Sequence, residues 1–386
     1  MAQKETILVA TQHNIATTTG GAITIFRVFC NMLSRHGYQV IATCHSPNPS
    51  RPVWLDPDIR FVNTQLCYPG EDRYRVTLNR LIEESQPSLI VFFFAEYYLE
   101  AHLLRKYKHI PRILMFHSRP DFYFAWMPSL KRRLRKYYLN TTAQVLMESF
   151  IDLLPWYMKR GPVAVIPNGV YTFDECADYS AEHKKMVFFS RVDRCKGIEI
   201  LIDAMAIVHQ KYPDWSIDLY GDTEPEAYRL LLEKRIAQKQ LEGYVRFMGV
   251  SKKSVGETLS QYDLCLFPSR FEGFGLGLAE CMAAGLPCVG FNNSSAVNEM
   301  LIHGVSGLLC DDTPEALAQS AIYLIEHPEE RKRMGLNARE WVKQYNPTVV
   351  EMKWLMLIDH ILHKGEKNPL LPVEELIRLT NTPLPE

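Results

Sequence analysis

Several features that would assign this 386-residue sequence to a particular protein class are missing. The nine cysteines form no C-x-x-C pair, so neither a disulfide framework nor a cysteine zinc site is indicated, and we expect reduced thiols in a cytoplasmic protein. No apolar run is long enough to cross a bilayer, and the polar start lacks the pattern of a signal peptide. Without a G-x-G-x-x-G stretch no nicotinamide cofactor is indicated, and no cluster of residues has metal-ligand spacing.

Net charge is also nearly absent, at −1, but it is unevenly distributed. Residues 1–170 contain 20 Lys and Arg against 12 Asp and Glu, whereas the remainder contains 23 against 32. This asymmetry indicates a basic face on the first part of the chain. No nucleic-acid-binding motif accompanies the charge, so we expect no nucleic acid partner.

One segment, residues 128–139, concentrates this positive charge on an amphipathic pattern. A helix of this kind can lie on an anionic membrane surface, but it can equally be a packed helix with a solvated basic face. The pattern alone leaves both interpretations open. The basic residues of the segment are Lys131, Arg132, Arg133, Arg135 and Lys136.

Short apolar stretches alternate with longer amphipathic ones, which is typical of an α/β fold with parallel sheets. The expected strands are residues 6–10, 38–43, 89–94, 112–116, 163–167, 186–190, 215–220, 245–248, 263–268 and 288–291. The expected helices include residues 22–35, 96–107, 198–212, 225–240, 253–261, 276–284, 314–326, 328–345 and 349–363. The pattern therefore predicts two doubly wound units, followed by a C-terminal helix and tail.

The most informative stretch is R-F-E-G-F-G-L-G-L-A-E-C-M-A-A-G-L-P, at residues 270–287. A glycine-rich loop leads from a buried strand into a helix, whose free N–H groups favour a phosphate. Glu272 lies in the loop, and Glu280 lies about one turn into the helix. An anion with a carboxylate on either side suits a sugar nucleotide, because carboxylates accept hydrogen bonds from sugar hydroxyls.

Three further positions are candidates for ligand contact. Arg191 and Lys196 bracket the strand-to-helix loop S-R-V-D-R-C-K-G, although two basic residues in a loop are often merely solvated. His117 follows a strand at its carboxyl end, where ligands bind in open α/β sheets; a loop histidine bonded to backbone is the alternative. Gly21 belongs to a glycine pair near a helix start, where the backbone could approach a phosphate or an acceptor; a plain turn is the alternative.

The glutamates at 272 and 280, with their flanking glycines, resemble the signature of the retaining glycosyltransferases of family four, which have the GT-B fold. The loop containing Arg191 and Lys196 resembles the family's diphosphate-binding loop. The resemblance implies that these two residues stabilise the leaving diphosphate, that Glu272 holds sugar hydroxyls, and that Glu280 holds the ribose. The run I-P-N-G-V, at residues 166–170, resembles the family's hinge between domains, which implies a first domain of residues 1–168, a second of residues 169–348, and a C-terminal helix and tail, 349–386. The resemblance also implies that the last helix crosses back to the first domain and that the ligand lies between the two domains.

By the same resemblance, His117 contacts a sugar hydroxyl or the reacting centre, and the candidate catalytic residues are His117, Arg191, Lys196 and Glu272. The candidate donor-binding residues are Gly21, Arg191, Lys196, Glu272, Phe274, Gly275, Leu276, Gly277 and Glu280.

The resulting expectation is an enzyme that moves a sugar from a nucleoside diphosphate sugar, UDP-sugar rather than GDP-sugar, to a hydroxyl group. The acceptor would be a glycan or a lipid-linked molecule in cell-surface polysaccharide or lipopolysaccharide assembly, with the protein peripheral on the inner membrane face. No metal and no other cofactor is expected. A sugar-nucleotide epimerase of the same fold, or a non-catalytic sugar-nucleotide-binding subunit, remains the alternative.

Overall fold

Two parallel β-sheets, each with its own connecting helices, divide the chain into two units in a computed structural model. The structure describes residues 4–11, 21–44, 51–64, 72–94, 106–126, 135, 138, 140–180, 182–223 and 225–363. The first unit comprises the described residues up to Asn168 and those from Val350 onward, and the second is Gly169–Val349. The expected α/β class, with two parallel-sheet domains, is confirmed.

The bounds of the strands and helices are as follows. The strands are β1 (Thr6–Ala10), β2 (Gln39–Cys44), β3 (Arg60–Asn63), β4 (Leu89–Phe92), β5 (Arg112–Met115), β6 (Thr141–Val145), β7 (Val163–Val165), β8 (Lys185–Phe189), β9 (Ser216–Tyr220), β10 (Val245–Gly249), β11 (Leu264–Phe267), β12 (Cys288–Phe291) and β13 (Gly307–Cys310). The α-helices are α1 (Gly21–Arg35), α2 (Asp72–Ser85), α3 (Pro120–Trp126), α4 (Phe150–Leu153), α5 (Trp156–Lys159), α6 (Ile198–Lys211), α7 (Glu226–Gln238), α8 (Val255–Leu259), α9 (Leu276–Ala283), α10 (Val297–Met300), α11 (Pro314–Glu326), α12 (Pro328–Trp341) and α13 (Pro347–Leu362). Residues Arg194–Lys196 and Val342–Tyr345 form 3₁₀ turns.

The first unit has a seven-stranded sheet in the order β3-β2-β1-β4-β5-β6-β7, with every pair parallel. Its core includes residues of the last helix: Trp354 packs edge-on against Phe29 of α1 with ring centroids 4.9 Å apart, and Ile358 is fully buried. Helix α13 therefore contributes its apolar face to the first unit, although it begins in the second.

The second unit has a six-stranded parallel sheet in the order β10-β9-β8-β11-β12-β13. The short apolar runs that predicted its strands are buried on both faces, as parallel strands require. Helix α9 matches the prediction to within one residue at its C-terminus.

Some elements of the first unit carry no apolar signature and were missing from the prediction. Strand β6, T-T-A-Q-V, is mostly polar in sequence yet entirely buried. Gln144 can be buried there because its side-chain Nε2 donates to the carbonyl of Ile166, 2.6 Å away. The helix expected at residues 96–107 lies largely outside the described residues, and residues 106–109 form a turn instead. Of the basic segment 128–139, only Arg135 and Tyr138 are described, so its helix stays a prediction.

Among the described residues, no helix combines the length and the apolar character that crossing a bilayer demands.

Candidate active site

The sheet of the second unit changes winding direction between β8 and β11. These strands are neighbours, but the chain continues from β8 to β9 on one side and from β11 to β12 on the other. Ligands of open α/β sheets bind beyond the carboxyl ends of the strands at such a switch point. The loops that follow the two strands touch there, because Arg270 N donates to Cys195 O at 2.9 Å.

A buried ion pair joins these two loops. Lys196 Nζ donates to Glu272 Oε1 at 2.6 Å, and the two side chains are 9% and 7% exposed. Lys196 ends a 3₁₀ turn that Asp193 caps by accepting from Cys195 N at 3.0 Å. The sequence prediction did not single out Asp193, although an aspartate two residues before a turn amide is the usual signal for this cap.

Gly197 keeps the two loops in contact. Its φ is +67°, and a Cβ at this position would lie 2.1 Å from the carbonyl oxygen of Pro268. Any other residue would therefore be strained and would also push the loop after β11 away. The glycine after Lys196 thus holds the lysine where it meets Glu272.

Arg191 lies in a different environment from Lys196. Its side chain is 72% exposed, and its Nη2 is 3.6 Å from the Asp193 carboxylate. Lys196 is therefore buried and paired, whereas Arg191 lies at the surface. Only Lys196 is fixed in position by the surrounding protein.

The start of helix α9 lies in the loop after β11. Gly275, with φ +85°, occupies the N-cap position, and no side chain caps the first turn. The backbone N–H groups of that turn can thus donate to a ligand, because the first intrahelical bond is from Ala279 N to Gly275 O. Leu276 opens the helix and is half-buried.

Gly277 and Phe274 both make close packing contacts with other parts of the second unit. A Cβ on Gly277 would lie 1.8 Å from the carbonyl oxygen of Phe189, so this glycine lets α9 pack against the end of β8. Phe274 is 3% exposed and meets Tyr345 edge-on, with ring centroids 5.3 Å apart. The Phe274 side chain is therefore packed within the protein.

Glu280 lies one turn into α9 and is half-buried. Burial raises the pKa of its carboxyl to about 7. In the part of the chain that the structure describes, no side chain or backbone group is hydrogen-bonded to this carboxylate. It titrates near neutral pH, unlike an ordinary surface glutamate.

In the first unit, His117 follows β5 at its carboxyl end, as predicted, and is half-buried. Its ring centroid is 4.3 Å from that of Phe93 and 5.0 Å from that of Phe94, two residues that follow β4. Nearby in sequence, Arg119 forms a bidentate salt bridge with Asp121: its Nε donates to Oδ1 at 3.1 Å and its Nη2 donates to Oδ2 at 2.7 Å. Gly21 is the first residue of α1 and is exposed.

No group of three or more His, Cys, Asp or Glu side chains among the described residues is arranged to hold a metal ion.

Residues 178–341 match the family described as "Glycosyl transferases group 1". The second unit is a glycosyl transferases group 1 domain. An uncharacterized glycosyltransferase of Haemophilus influenzae is 26% identical over 346 residues, which are 87% of this chain and 96% of that protein. Several other curated relatives are matched over less than half of their own length.

Solved structures show the fold of the chain. Sucrose-phosphate synthase from Thermosynechococcus elongatus superposes with a TM-score of 0.76 at 20% identity, over 93% of this chain and 99% of that one. HepE from Anabaena, in complex with UDP and glucose, superposes with a TM-score of 0.72 at 18% identity, over 92% and 99%. The expected GT-B fold is confirmed.

Proposed function

We propose that this glycosyltransferase moves a sugar from a UDP-sugar to an acceptor hydroxyl with retention of the anomeric configuration. The observation that carries the proposal is the buried pair of Lys196 and Glu272 at the β8–β11 switch point, beside the uncapped start of α9. A cation and free N–H groups suit a diphosphate, and a carboxylate suits sugar hydroxyls.

The leaving diphosphate gains negative charge as its bond to the sugar breaks. An ammonium group has three N–H donors, so Lys196 can bond to a phosphate oxygen without leaving Glu272. The α9 amides add fixed positive dipole, and the exposed Arg191 can swing toward the same phosphates. These groups together supply electrostatic stabilisation, and we propose that they replace a divalent metal.

The carboxylates take the sugar and ribose. Only one oxygen of Glu272 accepts from Lys196, so the other can accept from a hydroxyl of the transferred sugar. We assign the ribose to Glu280, and the backbone at Phe274, Gly275, Leu276 and Gly277 to the donor phosphates and sugar. For His117 the proposal stays contact with a sugar hydroxyl or the reacting centre.

In the proposed reaction, the bond between the anomeric carbon and the diphosphate oxygen breaks while the acceptor oxygen attacks from the same face. The acceptor proton passes to the departing phosphate oxygen, so the products are UDP and the glycosylated acceptor. No protein carboxylate is needed as a nucleophile. The residues named above then act by positioning and by charge.

The choice of donor and acceptor rests on different observations. UDP is favoured because HepE, which shares the fold, binds UDP and glucose. A glycan or lipid-linked acceptor in cell-surface polysaccharide or lipopolysaccharide assembly, with peripheral membrane attachment, is favoured by the excess of Lys and Arg in residues 1–170.

The test is a panel of radiolabelled UDP- and GDP-sugars, each incubated with and without hydroxyl acceptors, with the product anomer read by NMR. We expect transfer from one UDP-sugar and the same anomeric configuration in donor and product. Conversion of the donor sugar without any acceptor would instead identify an epimerase. Binding of a sugar nucleotide without turnover across the panel would identify a non-catalytic subunit.

A further inference from the structure

A cavity of about 310 Å³ opens in the first unit at the amino ends of β5, β6 and β7. The strands are parallel, so this edge of the sheet is opposite to the one that carries His117. The cavity is thus separate from the candidate active-site residue of this unit. Its lining residues are Pro111, Arg112, Tyr138, Asn140, Thr141, Thr142, Tyr157, Arg160, Gly161, Pro162 and Ile361.

The cavity carries positive charge. Arg112 and Arg160 both line it, and none of the described residues that line it is acidic. Arg112 is 1% exposed, and its Nη2 donates to the carbonyl of Tyr107 at 2.9 Å, which fixes the guanidinium in place. Arg160 is exposed, so the two guanidinium groups lie at different depths. Two arginines around one cavity are suited to a group with several anionic oxygens.

Hydroxyl groups and aromatic rings complete the wall. The rings of Tyr138 and Tyr157 meet edge-on with centroids 5.8 Å apart, and Thr142 is buried beside them. Gly161 allows this arrangement, because a Cβ there would lie 3.3 Å from Cε1 of Tyr138. Hydroxyl donors next to arginines favour a phosphate over a simple apolar ligand.

We propose that this cavity binds the phosphate group of a ligand, independently of the donor site. One further feature is Trp156, which is 50% exposed and has the guanidinium carbons of Arg160 and Arg135 at 4.9 and 5.1 Å from its ring centroid. An exposed tryptophan among cations is typical of a membrane–water interface. The same phosphate chemistry is offered by a phospholipid headgroup and by a soluble phosphate ester, so the experiment has an arm for each.

The soluble arm titrates the full-length protein with glycerol 3-phosphate by calorimetry, with sodium chloride at matched ionic strength as the blank. We expect saturable binding that Arg160→Gln weakens by about tenfold, the effect of losing one charge-assisted contact. The control is Lys159→Gln, which removes an equally exposed positive charge one residue away that does not line the cavity. It should change the affinity less than about twofold.

The lipid arm sediments the protein with phosphatidylcholine vesicles that contain or lack phosphatidic acid. Co-sedimentation that needs phosphatidic acid and is reduced by Arg160→Gln, but not by Lys159→Gln, identifies a headgroup as the source. Soluble binding with the same variant pattern and no vesicle dependence identifies a free phosphate ester. Wild-type protein that binds neither probe, or variants that weaken binding equally, would overturn the proposal, because general attraction to positive charge would then explain the data.

Discussion

The pair of Lys196 and Glu272 makes a quantitative prediction about stability as well as activity. Its atoms are 2.6 Å apart, and the side chains are 9% and 7% exposed. Removing one partner of a buried ion pair costs about 3–5 kcal/mol, because the other charge stays buried without compensation. Lys196→Met keeps the volume of the side chain and removes the charge, so we expect it to destabilise the protein by about 3 kcal/mol.

Neutralising both partners removes the uncompensated charge. The double variant Lys196→Met with Glu272→Gln should therefore be more stable than Lys196→Met alone, with a coupling free energy of about 2 kcal/mol. Arg191→Met is the matched control, because it removes a positive charge from the same loop at a side chain that is 72% exposed. It should change stability by less than about 0.5 kcal/mol.

The assay is urea unfolding followed by circular dichroism, beside turnover measured with the active UDP-sugar. Stability and catalysis should separate: the double variant regains stability, but its turnover stays low by roughly a hundredfold or more, since a transition-state contact to the leaving group is lost. Additive effects of the two substitutions, or a Lys196→Met variant as stable as wild type, would refute the reasoning about the buried pair. Wild-type turnover in the stable double variant would remove both residues from the mechanism.

Three further outcomes are expected. Because burial raises the Glu280 pKa from 4.5 to about 7, the folded protein holds a proton that the unfolded chain has lost. Its contribution to stability should thus fall as pH rises from about 4.5 to about 7, and Glu280→Gln should flatten this part of a urea-midpoint profile. Turnover should survive EDTA if Lys196 and the α9 amides stabilise the leaving diphosphate as proposed; loss of turnover that magnesium or manganese restores would contradict this. Wild-type protein should sediment with anionic vesicles at low salt, and the triple change of Arg132, Arg133 and Arg135 to Glu should abolish this sedimentation. Wild-type protein that stays in the supernatant would contradict membrane attachment and would favour a soluble acceptor.

The second unit could be read from the sequence in more detail than the first. Buried parallel strands such as β11 and β12 are continuous apolar runs, and Gly285 and Pro287 mark the end of α9, so its bounds follow from local residues alone. Strand β6 could not be found in this way. Its threonines and Gln144 are stabilised by partners on other elements, such as the Ile166 carbonyl, and that information is not local.

In the candidate site, too, some features follow from local sequence and others depend on residues that are distant in the chain. The loop positions of Lys196 and Glu272 follow from motifs, but their pairing joins residues 76 positions apart and needs the adjacency of β8 and β11. The sequence motif also places Arg191 and Lys196 in the same loop and does not indicate that the two side chains differ in burial. Their difference in burial arises because the 3₁₀ turn carries Lys196 inward against the loop after β11, which Gly197 permits.

Two glycines, one in the loop after β8 and one at the start of α9, have a structural role that accounts for the position of the charges. Gly277 lets the start of α9 contact the Phe189 carbonyl, and Gly197 lets the loop after β8 contact the Pro268 carbonyl. Each contact ties one of the two loops to the strand that the other loop follows. A side chain at either glycine would separate the loops and with them Lys196 from Glu272, even though neither glycine carries a charge. The glycines and the charged residues therefore depend on each other. The backbone contacts that the glycines allow set the distance at which Lys196 and Glu272 pair.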